Sequence, residues 1–282
     1  MYIKKIVTHS GNFHADELLA ICMVKMFLKD GDKIPVERVS VVPEKYLKDK
    51  EVMVIDIGRS YNKELRNFDH HQDSNLPAAC ILVGREVCPE DIYPYLERYL
   101  LGYVSDVDTG KIWSDFPSVN NILRKYETFD DAILVATIIL RGFVISAYKA
   151  KESIRVWSSL EKLNGIVINR TNTPVMNWKS MAEREGIYIM IAPSDREEGW
   201  NVILRSTEYV VPLCMREKIG RDKTIIKIIP DDKQIFLHNE GFMAVYREYN
   251  DALSTAQKVV ETINEMFNIK TSKNEKESNK IV

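Results

Sequence analysis

With 282 residues, 45% of them hydrophobic and 28% charged, the chain is long enough to bury ordinary cores and is expected to form two domains. A net charge of -2 excludes a basic field over the whole protein, so a nucleic-acid partner would need a local patch of Lys and Arg. The four cysteines, Cys22, Cys80, Cys88 and Cys214, have no paired spacing and read as reduced thiols of a cytoplasmic protein rather than a disulfide framework.

In chain order, residues 2–7 read as a buried strand, too short and too β-like for the apolar core of a signal peptide. Residues 9–16 read as the loop at its carboxyl end and 17–29 as a helix whose apolar positions are Leu18, Leu19, Ile21, Cys22 and Met26. Two further strands are expected at 36–42 and 52–57, and strands alternating with helices imply a parallel sheet. In such sheets functional loops lie beyond the carboxyl ends of the strands, which sets 9–16 beside 56–59. Helices are expected at 77–87 and 89–101, then a long helical stretch over 130–163 with a break near Gly142. The apolar run 132–140 is far below the ~20 residues that span a bilayer, and it reads as a buried core helix with no membrane partner. From Gly165 the texture turns to short β-rich segments at 165–168, 187–192, 200–205 and 234–237, with an amphipathic helix over 251–267. The polar tail from about 269 is expected to be disordered.

Four of the five histidines fall in His9-x4-His14-x-Asp16 and Asp69-His70-His71, with Asp56 ending an apolar run between them. Carboxylates and imidazoles without cysteine suit Mn²⁺ or Mg²⁺ rather than a structural zinc site. Any one of these histidines is more often a satisfied polar residue than a ligand. Together, however, they would be costly to bury without a cation. An oxygen-rich cluster able to hold two ions is the usual apparatus of phosphoester hydrolysis, needing no separate protein base.

The segments Thr8-His9-Ser10-Gly11-Asn12-Phe13-His14-Ala15-Asp16-Glu17, Asp56-Ile57-Gly58 and Asn67-Phe68-Asp69-His70-His71-Gln72 resemble the motifs of the MYG1 family within the DHH phosphoesterase superfamily. More weakly, residues 236–242 resemble the His-x-x-Gly-Phe element of that family's C-terminal lobe. The resemblance implies an α/β fold: a parallel-sheet DHH-type domain over 1–145, a connecting helix over 146–164, and a smaller α+β substrate-binding domain over 165–268. A tail would follow at 269–282, with the active site in the cleft between the domains. It also implies two divalent ions and hydrolysis of phosphodiester bonds, 3′-5′ exonuclease action on RNA being the activity of studied members. Carried over by position, His9, His14, Asp16 and His70 would ligate the ions and Asp56 would bridge them. His71 would contact the scissile phosphate, with Asp69 orienting the histidine that follows it. His14 stands where the wider superfamily usually has Asp, which favours Mn²⁺ over Mg²⁺. A last acidic ligand is expected in 103–110, where the register favours Asp106 and keeps Asp108 as its rival. His238 and Gly241 look like a phosphate-recognition turn, and Arg205, Arg216 and Arg221 are candidates for phosphate contacts. Trp178, Trp200 and Phe242 could stack on bases, although a core role is commoner for each. Ala15 and Ala244 depart from the family pattern and leave substrate specificity open.

The leading expectation is therefore a cytoplasmic enzyme trimming single-stranded nucleic acid, RNA before DNA, with a homodimer possible. The alternatives are a phosphoesterase for a nucleotide, short oligonucleotide or pyrophosphate, and a protein that binds metal or nucleotide without turnover. Near-neutral charge favours the small substrate; a local basic groove would favour the polymer.

Overall fold

The computed structural model describes residues 2–114, 117–171, 173–195, 198–205, 233–238 and 242–278, the last of these for the backbone alone beyond 264. The chain divides into two compact units, Met1–Lys151 and Glu152–Val282.

The first unit carries β1 (Lys5–His9), α1 (Ala15–Phe27), β2 (Val36–Val39), α2 (Glu44–Leu47), β3 (Val52–Ile55), β4 (Tyr61–Asn62) and β5 (Asn67–Phe68). Helices α3 (Ala79–Val87), α4 (Tyr93–Leu96), α5 (Gly102–Asp108) and α6 (Val119–Leu123) follow, and α7 (Phe129–Ser159) begins here. The strand order is β2-β1-β3-β5-β4. Strands β1, β2, β3 and β5 are parallel, whereas β4 runs antiparallel on the edge, so the expected parallel sheet is a mixed one. The exception is the tight return between β4 and β5, which needs no crossover helix.

Alternation along the strands sorts the apolar residues between two faces. Ile6, Met53 and Ile55 join the core under α1 and α3, while Val7, Val52 and Val54 pack with Tyr46 and Leu47 of α2 on the other side. Every residue of α1 from Ala15 to Val24 is buried, including Asp16 and Glu17. Helix α7 runs unbroken through Gly142, contrary to the expected break. An interior glycine costs only ~1 kcal/mol, and the packing of Leu140 and Val144 on either side holds the helix. Nor is the 132–140 stretch buried all round: Ala132, Ala136 and Leu140 face the core while Leu134 and Ile138 are exposed. By length and composition α7 is apolar enough to cross a membrane.

The second unit forms a six-stranded sheet in the order β10-β11-β9-β8-β7-β6. These strands are β6 (Glu161–Leu163), β7 (Ile166–Ile168), β8 (Ile189–Pro193), β9 (Trp200–Leu204), β10 (Gln234–Leu237) and β11 (Met243–Tyr246). Among the described residues of this unit only β7 and β8 pair in parallel. One face takes Ala256, Val259 and Ile263 of α9 (Tyr249–Ser278), and the other takes Trp178 and Ala182 of α8 (Trp178–Arg184). The backbone of α9 stays helical beyond the expected end at 267, through a polar segment whose Lys and Glu are good helix formers.

Candidate metal centre

Because β1, β3 and β5 are parallel neighbours, their carboxyl ends share one edge of the sheet. His9 is the last residue of β1, Asp56 follows β3, and Asp69-His70-His71 follows β5. The loop after β1 returns at His14, and the first turn of α1 brings Asp16 and Glu17 to the same edge, where a helix N-terminus favours negative charge. Arg38 of β2 ties this loop down: its Nε donates to the His9 carbonyl at 3.1 Å and its Nη2 to that of Gly11 at 3.0 Å. The guanidinium also lies over the Phe13 ring, 4.5 Å from its centroid.

Three sets of donors converge, His9, His14, Glu17 and Asp56; Asp56, His70 and His71; and His14, Asp16 and Asp108, with the donor atoms of each set within 4.8 Å of one another. Asp56 belongs to two of the sets and His14 to two. Asp56 takes the left-handed conformation (φ 57°), a strained choice for a residue other than Gly, Asn or Asp, and its N–H donates to the Phe68 carbonyl at 3.0 Å. Seven buried side-chain atoms of this group, His9 Nε2, both oxygens of Asp16, Glu17 Oε1, both oxygens of Asp56 and His70 Nε2, find no hydrogen-bond partner among the described residues. His9 and His70 point their Nε2 atoms at Glu17, Asp56 and Asp108 over 3.1–3.5 Å, near enough for charge attraction but without hydrogen-bond alignment.

Clustered buried charge perturbs His9, His14, Asp16, Glu17, Asp56 and His70. His9 is pushed up to about 10 by Asp56 and Glu17. Burial works against the charge of His70, but Asp108 and Asp56 outweigh it and raise this imidazole to about 9. Burial likewise opposes ionisation of Asp56, yet His70 and His9 hold it at about 2. Asp16 moves the other way: full burial, then the neighbouring charge of Asp56, raise its carboxyl well above the usual range. Buried Glu17 is also raised, and burial beside His9 lowers His14. Orphaned acceptors beside imidazoles are what a cation-binding site requires, so these residue groups could hold a metal ion.

Asp69 is buried but satisfied. Its Oδ2 accepts from the Arg59 N–H at 2.6 Å, and its Oδ1 accepts from the His71 N–H at 3.0 Å and lies 2.7 Å from His71 Nδ1. It therefore orients His71, whose side chain is half exposed at the mouth of a cavity of about 340 Å³ shared with His9, His14 and Asp56. Of the two rival acids, Asp108 reaches the cluster, 3.1 Å from His70, while Asp106 turns outward to Lys111 at 3.5 Å. Residues two apart on a helix lie on roughly opposite faces, so the favoured Asp106 could not share the site with Asp108. Glu17 escaped the sequence reading, although its place three residues after the N-cap His14 is the capping-box position, and it accepts the His14 N–H at 2.7 Å.

Of the second-unit candidates, Arg205 follows β9, its guanidinium 5.8 Å from the Tyr188 ring, and His238 follows β10, its ring 4.1 Å from that of Phe242. Gly241, Arg216 and Arg221 lie outside the described residues. Trp178 is a core residue, and Trp200 packs edge-on against Tyr249 at 5.0 Å.

Residues 5–77 match the model of the family MYG1_exonuc, described as an uncharacterised protein family (UPF0160). The chain is 33% identical to a MYG1 protein of Chlamydia trachomatis over 138 residues, 45% of this chain and 46% of that protein. Over 69 residues it is 42% identical to a MYG1 protein of Dictyostelium discoideum, covering 24% of this chain and 19% of the relative. A Saccharomyces cerevisiae MYG1 protein is 38% identical over 71 residues, with the same coverage of 24% and 19%. The match thus spans less than half the length of these curated relatives. The family-model match over residues 5–77 and the likeness to MYG1 proteins over part of their length point together to the MYG1 family.

Proposed function

We propose that this protein is a phosphodiesterase of the DHH type that uses two divalent ions, Mn²⁺ before Mg²⁺, to trim single-stranded RNA in the 3′-5′ direction. The observation that carries this reading is the group of seven orphaned buried atoms on five residues at one sheet edge, an arrangement that cations would satisfy. The exonuclease name of the matching family supports the reaction class. His9, His14, Asp16, Glu17, Asp56, His70 and Asp108 would hold the ions. Bound there, divalent ions supply Lewis-acid activation of water and neutralisation of phosphate charge.

The chain's own part is orientation. His9 Nδ1 lies 3.0 Å from the Ser10 carbonyl, which accepts its proton and leaves Nε2 for the cluster. Asp69 fixes His71 so that its free edge can meet a phosphate oxygen at the mouth of the site. Arg205, His238 and Gly241 would supply contacts to the rest of the substrate.

The test is hydrolysis of end-labelled single-stranded RNA, single-stranded DNA, short oligonucleotides and pyrophosphate with Mn²⁺, Mg²⁺ or EDTA, beside Asp56→Ala and His70→Ala. Metal-dependent shortening from the 3′ end, lost in both variants, is expected; equal turnover in EDTA would sink the reading. The net charge of -2 favours a second reading, a small nucleotide substrate, which turnover confined to short substrates would support.

A further inference from the structure

A second cavity, also of about 340 Å³, opens between α5 and α6 and shares His14 and Asp108 with the metal centre. Its remaining wall includes Trp113, Asn120, Asn121 and Arg124, none of which the phosphodiesterase reading uses. The volume suits a small molecule of nucleotide size.

Its three kinds of side chain differ in what they offer. Asn120 is only 7% exposed, and its amide donates to the Val104 carbonyl at 3.4 Å, so its orientation is set and Oδ1 remains a buried acceptor without a partner among the described residues. A buried acceptor left unsatisfied is costly, and a ligand N–H or O–H would relieve it. Trp113 presents its indole almost wholly to solvent, 97% exposed, a flat apolar surface on the cavity's edge. Its immediate described neighbours are hydrogen-bonded. Lys111 and Ile112 donate their N–H groups to the Asp106 carbonyl at 2.8 and 3.1 Å, and Asn121 donates to the Ser114 carbonyl and hydroxyl at 3.2 and 2.7 Å. Arg124 adds an exposed cation to the same wall.

We infer that this cavity is a nucleobase pocket for the terminal nucleotide of the substrate. Trp113 stacks on the base, Asn120 Oδ1 accepts from an exocyclic amine or a sugar hydroxyl, and Arg124 neutralises a phosphate. The pocket deepens the phosphodiesterase reading and rests on it, since its shared residues His14 and Asp108 would set the scissile bond beside the ions.

The experiment is calorimetric binding of AMP and of ribose 5-phosphate, which lacks the base, to the full chain in EDTA, where no turnover intervenes. AMP is expected to bind at least about tenfold more tightly than ribose 5-phosphate, an advantage that Trp113→Ala erases and Trp113→Phe largely keeps. Arg124→Gln should weaken both ligands together. Equal binding of the two ligands, or a Trp113→Ala protein that binds AMP as the wild type does, overturns the pocket. RNA hydrolysis without Trp113-dependent binding removes the pocket alone. Trp113-dependent AMP binding without any metal-dependent hydrolysis keeps a nucleotide site and removes the phosphodiesterase.

Discussion

Asp106 and Asp108 separate a ligand from a surface acid within three residues. Asp108 faces His70 and Asp16 across the cluster, whereas Asp106 meets Lys111 near solvent, where an ion pair contributes little. Asp108→Asn should therefore lower Mn²⁺ affinity at least about tenfold, and Asp106→Asn should leave it within about twofold, as titration calorimetry would show. The reverse order would mean that α5 is rotated in the metal-bound protein. The histidines add a pH signature. With His9 held at about 10 and His70 at about 9, both are protonated at neutral pH without metal, and binding must displace those protons. Apparent affinity should climb with pH through the neutral range towards about 9, by about tenfold per unit for each proton displaced, with matching proton release between buffers of different ionisation enthalpy. Metal-free stability has the opposite sign: both pKa values are raised, so the contribution of these histidines is complete below 6.5 and is lost as pH rises through 9 and 10.

The element that aims Asp108 begins with an irregularity. Residues Glu97–Leu101 form a π-helical turn between α4 and α5, closed by the Gly102 N–H on the Glu97 carbonyl. A Cβ at position 102 would come within 2.8 Å of that same carbonyl oxygen, so any other residue forces the turn, and with it the phase of the helix after it, to shift. Gly102→Ala should cost about 1–3 kcal/mol in thermal unfolding and weaken metal binding, because Asp108 is carried off its bearing. Unchanged Mn²⁺ affinity in a folded Gly102→Ala protein would show that the turn does not position the acid. Here lies the limit of what the amino-acid order makes legible. Strands β1 and β3 are visible in advance as buried apolar runs, and their alternation places His9 and Asp56 at one edge. Strand β5 has only Asn67 and Phe68, too short to show a period, so the adjacency of Asp69-His70-His71 to Asp56 is legible from the clustering of ligand-type residues and from motif resemblance, not from strand pattern. The choice between Asp106 and Asp108 depends on helical phase, which the π turn shifts and no local propensity announces. Glu17 was hidden because the same residue type at the third helical position is explained as well by capping.

At the scale of the molecule, the donors of the metal centre all come from Met1–Lys151, while Glu152–Val282 keeps apolar clusters of its own. A ligand that binds the folded state and not the unfolded one stabilises by mass action, about 2.7 kcal/mol at a hundredfold excess over Kd. Scanning calorimetry should accordingly show a transition of the first unit that Mn²⁺ raises and EDTA lowers, and a transition of the second unit that neither moves. Asp16 sharpens this expectation. Its carboxyl is fully buried, both oxygens lack hydrogen-bond partners among the described residues and its pKa is raised, so the ionised form is disfavoured by folding and the metal-free unit gains stability as pH falls through that raised value. Asp16→Asn fixes the neutral form at every pH. It should raise the metal-free melting temperature of the first unit by about 2–4 °C for each kcal/mol of charge burial relieved, and abolish most of the rise that Mn²⁺ produces. A variant that melts lower than wild type in EDTA, yet keeps its full response to Mn²⁺, would mean that Asp16 is a structural acid and that the ions sit elsewhere. Opposite shifts in the two conditions would identify its buried charge as a stability cost retained for metal binding.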